Sequence, residues 1–554
     1  CIRDSYGDVM LNFNYNINRF DIAATVGWTG RYENMNNIRV STNGGLVTEN
    51  WFDLNASRYT PSSTLQRMEL LKTGYMGTLS LGWDNYLFLE LTGRQERSST
   101  LKDQSFFYPS ANLSFLFTQA FHMPSWWNYG KLRLSYGIVG NAPETYTANI
   151  VYEQGSDNGF TWNTIPSSWG NADIRPEKKY EYEIGLESKF LNNRLGIDVS
   201  YYNNRVKDQI LSTPQPSTSG VKNVLMNVGE VANHGWDISI SATPILTRDF
   251  RWDLTANYGV YKNKVVKLAD GVPYLEILNS GGSGIKIQAV EGQPMGDIYA
   301  QVPQVNENGE YLVSDKGLYL NQTELQKVGN INPAGVGGLF NSFSYKNVFL
   351  DFSIDFRIGG DVINEMNQYA TAVGLTPESL KYRDTEHGGL SYYYPGDNNS
   401  SGIPVQVDPS TGVGPNGEII YHDGIILPGV VASTGERNTR IIPAGYYYNT
   451  TYNWGTEAEQ LTYRHSVFDN SYVKLRELTI GYQFPEKIIS KLGLGRLSVS
   501  VFGRNLFYFY KALKNYDAES SVGTSWANQA TVGSSTTATR SFGVSLRALS
   551  LIHI

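Results

Sequence analysis

Four aspartates in strand-like segments are the residues whose type and spacing come closest to an acid–base pair. Asp198, Asp237, Asp351 and Asp355 stand in runs where every second residue is apolar. Two carboxylates held together with different pKa values would suit general acid–base catalysis. An alternating strand places such side chains on its polar face without any catalytic role, so we interpret them that way and expect no enzymatic activity.

One segment partly resembles a calcium-binding loop. Asp397, Asn399, Ser401, Gly402 and Asp408 fall at positions 1, 3, 5, 6 and 12 of such a loop. Serine at the fifth position and aspartate at the twelfth, where a bidentate glutamate is usual, weaken the pattern. We therefore expect no metal site and no cofactor.

Other chemical motifs are missing from the sequence. The chain contains no HExxH, GxSxG or phosphate-loop motif, and its six histidines show no ligand spacing. Cys1 is the only cysteine, so a disulfide within the chain is excluded. The net charge of −7, without a run of Lys or Arg, argues against a nucleic-acid partner.

Aromatic residues grouped in polar segments are the candidates for contact with a substrate or a partner protein. A ring beside amide groups suits sugar recognition, and it suits protein contact equally well. The sequence leaves open which of these rings touch a ligand, which touch a partner and which pack inside their own segment. The candidates are Trp162, Trp169, Tyr392, Tyr393, Tyr394, Tyr446, Tyr447, Tyr448 and Trp454.

Period-two alternation of apolar and polar residues predicts an all-β chain. The alternation is clear at 195–202, 236–243 and 349–358, and aromatic residues make up 13% of the sequence. No apolar run approaches the roughly 18 residues of a transmembrane helix. About fifteen strands are predicted, at 9–17, 20–30, 74–83, 86–96, 110–118, 131–139, 180–190, 195–208, 235–243, 251–263, 341–345, 348–358, 473–484, 496–505 and 539–547.

The connections between these strands fall into two classes that alternate along the chain. Tight periplasmic turns and large extracellular loops are typical of a transmembrane antiparallel β-barrel in an outer membrane. The rings at 507–510 then mark the level where one strand leaves the membrane. The shorter connections are predicted at 18–19, 84–85, 119–130, 191–194, 244–250, 346–347 and 485–495, and the longer ones at 31–73, 97–109, 140–179, 209–234, 264–340, 359–472 and 506–538.

Several stretches resemble the SusC/RagA family of TonB-dependent outer-membrane transporters of Bacteroidetes. They are spread over nearly the whole chain in the family's order. Among them are "FDNSYVKLRELTIGYQFP" at 468–485 and "GRNLFYFYKALKNYDAE" at 503–519. The others lie at 170–204, 227–240, 337–362 and 540–548.

The resemblance implies a barrel of about 22 strands with a plug, of which this chain holds about 15 strands and no plug. Residues 1–547 would form a partial barrel, whose largest extracellular loops are about 264–340 and 359–472. The family chain has Asp-Pro-Glu where this one has Asp517, Ala518 and Glu519. The tail at 548–554 is atypical; whether 549–554 is genuine or a read-through is left open.

The resemblance also implies a function and partners. We expect import of an oligosaccharide, or alternatively a peptide, across the cell outer membrane. The expected partners are a SusD-like lipoprotein lid, outer-membrane lipid, and TonB acting through an N-terminal part outside this chain, with two barrel–lid pairs forming a dimer. Two rivals remain: a non-transporting surface receptor or adhesin on the same barrel, and a soluble secreted β-protein that binds carbohydrate.

Overall fold

A large sheet contains all fifteen strands predicted from the alternation. The computed structural model describes residues 2–102, 105–157, 160–280, 284–396, 402–453, 462–521, 523, 525–533 and 538–550. Each strand of the sheet is a neighbour of the strand that follows it along the chain, so the topology is a meander. The strands are β1 (Ile2–Ile17), β2 (Phe20–Leu46), β3 (Ser57–Trp83), β4 (Leu87–Ser98), β5 (Ser105–Phe115), β6 (Trp127–Asn141), β7 (Glu177–Phe190), β8 (Leu195–Lys207), β9 (Glu230–Leu246), β10 (Phe250–Lys267), β11 (Gly335–Tyr345), β12 (Val348–Ile358), β13 (Tyr472–Gln483), β14 (Leu494–Lys511) and β15 (Ser541–Ser550).

Tight turns close the predicted short connections. Asn18 turns β1 into β2 with φ of 52°, and Asp84 and Asn85 turn β3 into β4 with φ of 53° and 60°. Asn and Asp tolerate this left-handed region better than most residues. The turn chemistry therefore fixes the register of these hairpins, and that register places the polar side chains on one face.

Several predicted connections are shorter than the sequence indicated. Most of 31–73 is strand, because β2 and β3 pair from Asn36 opposite Arg67 to Leu46 opposite Ser57. The connection predicted at 97–109 shrinks to 99–104, and β11 begins six residues earlier than 341. Residues 548–550 of the predicted tail continue β15 and pair with β14, while 551–554 lie outside the described residues. The hairpin escaped prediction because one of its faces is polar and the other carries only a few apolar residues, among them Ile38 and Leu65, so the period-two signal is short.

The outward faces of several strands are apolar. On β15, Phe542, Val544 and Leu546 are 74%, 73% and 68% exposed. On β7, Ile184 lies between Leu134 of β6 and Tyr201 of β8. Exposed apolar rows of this kind need a non-aqueous neighbour. No helix within the described ranges is long and apolar enough to cross a membrane.

The chain divides into two compact units. The first comprises Cys1–Ile240 and Lys262–Pro273, and the second comprises Ser241–Tyr261 and Tyr274–Ile554. In the first unit, Leu101, Phe106, Ala148 and Ile174 form a small core. Its further elements are a 3-10 turn at Leu54–Ala56, helix α1 (Phe117–Ala120), a 3-10 turn at Ser217–Ser219, and strands Glu153–Asp157, Phe160–Thr164, Ser168–Trp169, Ile210–Pro214 and Asn223–Asn227.

The second unit carries most of the additional secondary structure. Its helices are α2 (Glu365–Ala372), α3 (Ala444–Tyr452) and α4 (Glu486–Ile489), with 3-10 turns at Pro377–Leu380, Tyr463–Ser466, Ser490–Leu492 and Asn528–Ala530. Its smaller sheets contain Tyr274–Ser280, Ile285–Val290, Asp297–Ala300, Leu312–Val313, Gln326–Asn330, Asp361–Ile363, Leu390–Tyr393, Val405–Gln406, Tyr421–Ile425, Val430–Val431, Ile442–Pro443 and Val467–Asp469.

Three of the long connections fold together in the second unit. One buried core contains Ile285 and Ile298 from 274–334, Ile363 from 359–471, and Ala530 from 512–540. The backbone amide of Val532 donates to the carbonyl of Ile363 at 2.8 Å. We call these three connections, 274–334, 359–471 and 512–540, the loop body. It is a packed structure with its own sheets, and so differs from a set of independent loops.

Candidate functional site

Arg476 on β13 joins two neighbouring strands to the connection 512–540. Its Nε donates to Oδ1 of Asp355 on β12 at 3.1 Å, and its Nη2 bonds the second carboxylate oxygen. Its Nη1 donates to Oδ1 of Asn505 on β14 at 3.0 Å and to Oε2 of Glu519 at 2.8 Å. A planar guanidinium with several fixed donors suits such a junction. Arg476 therefore fastens the loop body to the sheet.

Lys474, two residues earlier on β13, is the buried member of this cluster. Its side chain is 2% exposed, and its Nζ lies 2.5 Å from Oε2 of Glu519. The ammonium also lies 4.7 Å from the centre of the Tyr508 ring. An ammonium withdrawn from water this far is tolerated only with a paired charge. We call Lys474, Arg476, Asp355, Asn505 and Glu519 the Arg476 cluster.

Glu519 is the carboxylate on which the cluster depends, because it accepts from both cations. Burial on its own would raise its pKa, but the hydrogen bonds from Arg476 and Lys474 outweigh burial and lower the pKa of Glu519 to about 2. The carboxylates of Asp355 and Glu519 are both occupied by cationic donors. The arrangement therefore positions a loop and does not resemble an acid–base pair.

The ring cluster at the end of β14 divides between two environments. Phe507, Phe509 and Tyr510 are exposed, as expected for rings at a membrane boundary. Tyr508 faces the Arg476 cluster instead, and its hydroxyl donates to Oδ1 of Asp517 at 2.8 Å. The strand continues to Lys511, so the rings lie within β14 and not beyond it. The predicted strand end at 505 was too early.

Three of the four predicted polar-face aspartates have partners on other strands of the sheet. In the first unit, Asp198 accepts from both Nη atoms of Arg133, at 2.6 and 3.2 Å. In the second unit, Asp351 accepts from Oγ of Ser342 at 2.6 Å, and Asp355 binds Arg476. Asp237 is exposed. These contacts support the interpretation of the aspartates as polar-face residues.

Two of the predicted contact tyrosines are buried inside the loop body. Tyr392 and Tyr394 pack against Ile441, and Tyr392 stacks on Tyr421 with ring centres 5.4 Å apart. The Tyr392 hydroxyl donates to Oδ1 of Asp423 at 3.1 Å. These rings fill the interior of the small sheet that holds them. Their backbone neighbour Tyr393 is only partly buried.

The second tyrosine group, on α3, is also tied to the interior. Tyr446 and Tyr447 pack against the core around Leu318. Tyr448 is buried, and its hydroxyl donates to the carbonyls of Glu378 at 2.9 Å and Lys381 at 3.3 Å. α3 is thereby fixed to the segment that follows α2.

The tryptophan candidates lie elsewhere. In the first unit, Trp162 is exposed on a two-stranded ribbon, and Trp169 meets Tyr152 edge to face at 6.1 Å. Trp454 lies outside the described residues. Contact of any of the nine rings with a ligand or a partner stays a prediction, and Trp162 is the exposed member among the eight that the structure describes.

No group of three or more His, Cys, Asp or Glu side chains in the described part of the chain could hold a metal ion. Three of the five residues of the calcium-like segment, Asp397, Asn399 and Ser401, lie outside the residues that the structure describes. Asp408 accepts from its own neighbour Ser410.

His465 gives the loop body a pH-dependent stability. Burial lowers the pKa of His465 to about 4, and the nearby Arg464 adds to the effect; the neutral ring stacks on Tyr452 at 4.5 Å. An unfolded histidine has a pKa near 6.5, so the unfolded state binds the extra proton first. The contribution of neutral His465 to the free energy of unfolding is roughly 3 kcal/mol. It is complete above about pH 6.5 and is lost as the pH falls towards 4.

We therefore expect the segment around α3 and His465 to become more sensitive to limited proteolysis between pH 7 and pH 4.5. The cleavage sites are to be mapped by mass spectrometry at each pH. The matched variant His465→Phe keeps an aromatic ring for the stack but cannot take up a proton, so its sensitivity should change little over the same range. An equal pH response in this variant would assign the effect to another group.

Comparisons with known proteins agree with this architecture. Residues 3–295 match the family model described as TonB dependent receptor-like, beta-barrel. TonB-dependent receptor P3 of Formosa agariphila is 24% identical over 494 residues, covering 81% of this chain and 42% of that protein. TonB-dependent receptor SusC of Bacteroides thetaiotaomicron is 30% identical over 247 residues, covering 41% of this chain and 24% of that protein.

A solved structure resembles the fold over nearly the whole chain. The RagAB peptide transporter has a TM-score of 0.65 at 18% identity, covering 92% of this chain and 52% of that chain. At this identity the similarity concerns the fold. The chain spans less than half the length of the curated relatives that it matches.

Proposed function

The chain belongs to the TonB-dependent receptor-like β-barrel family, and on that basis we propose that it forms a major part of the barrel of an outer-membrane nutrient importer. Barrels of this family lie in the outer membrane, and the chain is assigned to that membrane. The observation that carries the proposal is the family match over residues 3–295, which falls on a meander of strands with apolar outward faces. Neither feature would be expected of a soluble β-protein.

The proposed partner is a SusD-like surface lipoprotein that closes over the loop body. The motifs shared with the SusC/RagA family support this pairing, and so does the loop body itself, which is large and internally packed as a docking platform would need to be. TonB would drive release of the captured ligand into the periplasm. Two barrel–lid pairs would assemble as a dimer.

The proposed substrate is an oligosaccharide, with a peptide as the alternative. Exposed rings in polar connections support either one, because a ring face binds an apolar sugar face or side chain while neighbouring amides bind polar groups. Trp162 is an exposed ring of this kind, and Tyr393 is partly exposed. The proposal includes no enzymatic step.

The test uses the complete gene product, tagged and expressed in its own outer membrane. Extraction in mild detergent followed by mass spectrometry should recover a stoichiometric lipoprotein of the lid type. In parallel, a deletion strain should lose uptake of labelled oligosaccharides but keep uptake of labelled peptides. Loss of peptide uptake with oligosaccharide uptake kept would identify the substrate as a peptide. A non-transporting surface receptor would be favoured if the barrel is recovered without a lipoprotein and the deletion strain still takes up both labelled oligosaccharides and labelled peptides.

A further inference from the structure

A cavity of about 300 Å³ lies beside the end of β14, in the second unit. β15 pairs with β14 only as far as Ser541 opposite Arg504, and the cavity begins with the next residue of β14, Asn505. Its lining comes from β13, β14 and the connection 512–540, and most of the lining side chains are polar. The role proposed for the chain does not account for this cavity.

Positive charge exceeds negative charge in the cavity. Three cations line it, Lys474, Lys511 and Arg540, together with one carboxylate, Asp517. Lys474 is already neutralised within the Arg476 cluster, whose two cations and two carboxylates balance. The remaining lining charges are two cations and one carboxylate, which leaves an excess of one positive charge.

Neighbouring charges do not cancel this excess. Oε2 of Glu378 accepts from Nδ2 of the lining residue Asn515 at 3.3 Å, and Lys514 directly precedes Asn515 with an exposed side chain. Arg504 pairs with Glu477 at 3.0 Å. Each of these two sets contains one cation and one carboxylate, so the local field still favours an anion.

Lys511 and Arg540 keep donors that a ligand can use. Nζ of Lys511 donates to the carbonyl of Tyr516 at 2.7 Å, which occupies one of the three ammonium donors. Arg540 is exposed, and neither cation forms an ion pair within the described residues. Oδ1 of Asp517, in contrast, already accepts two hydrogen bonds. The cavity therefore offers two cations to an anionic group.

The cavity lies at the level of the membrane boundary. Phe507, which is part of its lining, belongs to the exposed rings of β14. Arg540 comes two residues before Phe542, the first residue of the outward apolar row on β15. Lipid headgroups occupy the boundary level, and acyl chains lie beside apolar rows. A lipid with an anionic headgroup matches both parts of this surface.

We propose that the cavity binds the phosphate group of a lipid in the outer leaflet. Arg540 and Lys511 donate to the phosphate oxygens, which are strong acceptors for charged donors. The acyl chains lie along Phe542 and Val544. Dissolved phosphate shares the headgroup chemistry but buries no apolar surface, so it binds more weakly than the lipid. The site requires only that the chain lies in the outer membrane, and it holds whatever substrate is imported.

Lipid binding to the complete protein in detergent, measured by native mass spectrometry, tests the site. The probes are phosphatidic acid and diacylglycerol with the same acyl chains, so that only the phosphate differs. Wild type should retain one phosphatidic acid at concentrations where diacylglycerol does not bind. Arg540→Gln and Lys511→Gln should each weaken binding of phosphatidic acid about fivefold, the effect of one cation next to a charged headgroup. Arg540→Lys keeps the charge and should retain most of the binding.

Lys514→Gln is the matched control, because Lys514 is an exposed lysine of the same connection that does not line the cavity. Its binding should equal that of wild type, and circular dichroism should show every variant folded. Binding unchanged in Arg540→Gln, or weakened equally in Lys514→Gln, would overturn the site. Equal binding of diacylglycerol would show that the phosphate is not recognised. Inorganic phosphate that displaces phosphatidic acid at equal concentration would replace the lipid by a dissolved anion.

Discussion

Glu519→Gln is expected to destabilise the second unit by roughly 3 kcal/mol, the lower end of the cost of removing one partner from a buried ion pair, because the Lys474 ammonium is buried while the Glu519 side chain is 29% exposed. The buried ammonium of Lys474 would lose its paired carboxylate, and of its two carboxylate partners Arg476 would keep Asp355. Urea unfolding of the protein in lipid vesicles, followed by tryptophan fluorescence, measures this loss.

A double variant separates the ion pair from the shape of the site. Lys474→Met with Glu519→Leu removes both charges, and a buried pair replaced by apolar residues often costs little, so most of the lost stability should return. Asp270→Asn is the exposed control, because its pair with Lys267 is open to water and should contribute at most about 1 kcal/mol. A Glu519→Gln effect as small as this control would show that the cluster does not fasten the loop body.

The same cluster predicts a loss of stability in acid. The pKa of Glu519 is about 2 in the folded protein, against roughly 4.3 for a free glutamate. Its contribution is therefore complete above about pH 4.3 and is lost as pH falls towards 2. Comparison of wild type with Glu519→Gln across that range should show the two unfolding curves converging.

Ile184→Arg is expected to cost roughly 2–4 kcal/mol in a bilayer, the range for a cation on the lipid face near the midplane of a barrel. Ile184 lies near the middle of β7, is 47% exposed, and has apolar or aromatic neighbours on both sides, Leu134 and Tyr201. The measurement is folding yield and urea stability in vesicles.

Ser135→Arg is the matched control for Ile184→Arg. Ser135 pairs with Glu183, one residue before Ile184, and so lies at the same height on the opposite face of the sheet. The new guanidinium would meet water and the Glu183 carboxylate, and stability should change by less than about 1 kcal/mol. Equal costs for the two variants would contradict the assignment of the apolar face to lipid.

The strands were predictable because half of each strand is apolar, and alternation is strong wherever one face meets lipid. The part of the β2–β3 hairpin beyond Asn36 has a weaker signal, since one of its faces is polar and the other mixes Ile38 and Leu65 with polar residues. The end of β14 was predicted too early because residues on its two faces look alike in sequence. Tyr508 and Phe507 look alike in sequence, yet one binds Asp517 in the loop body and the other is exposed.

The candidate site was less accessible to sequence reasoning. Tyr392 and Trp162 both lie among polar residues, and only the tertiary structure separates the buried ring from the exposed one. The sequence does indicate that Lys474 and Arg476 have carboxylate partners, because two cations lie close together on one strand. Glu519 lies 43 residues after Arg476, and no local pattern links positions so far apart.

The shared core of the loop body constrains how such a protein can change its specificity. Ile285, Ile363 and Ala530 come from three connections but fill one interior. Grafting a single connection from a relative would leave a mismatched interior against the other two. Exchange of all three connections together would keep the residues of the shared core matched to one another. Recombination between relatives should therefore leave breakpoints that fall outside 274–540 more often than within it.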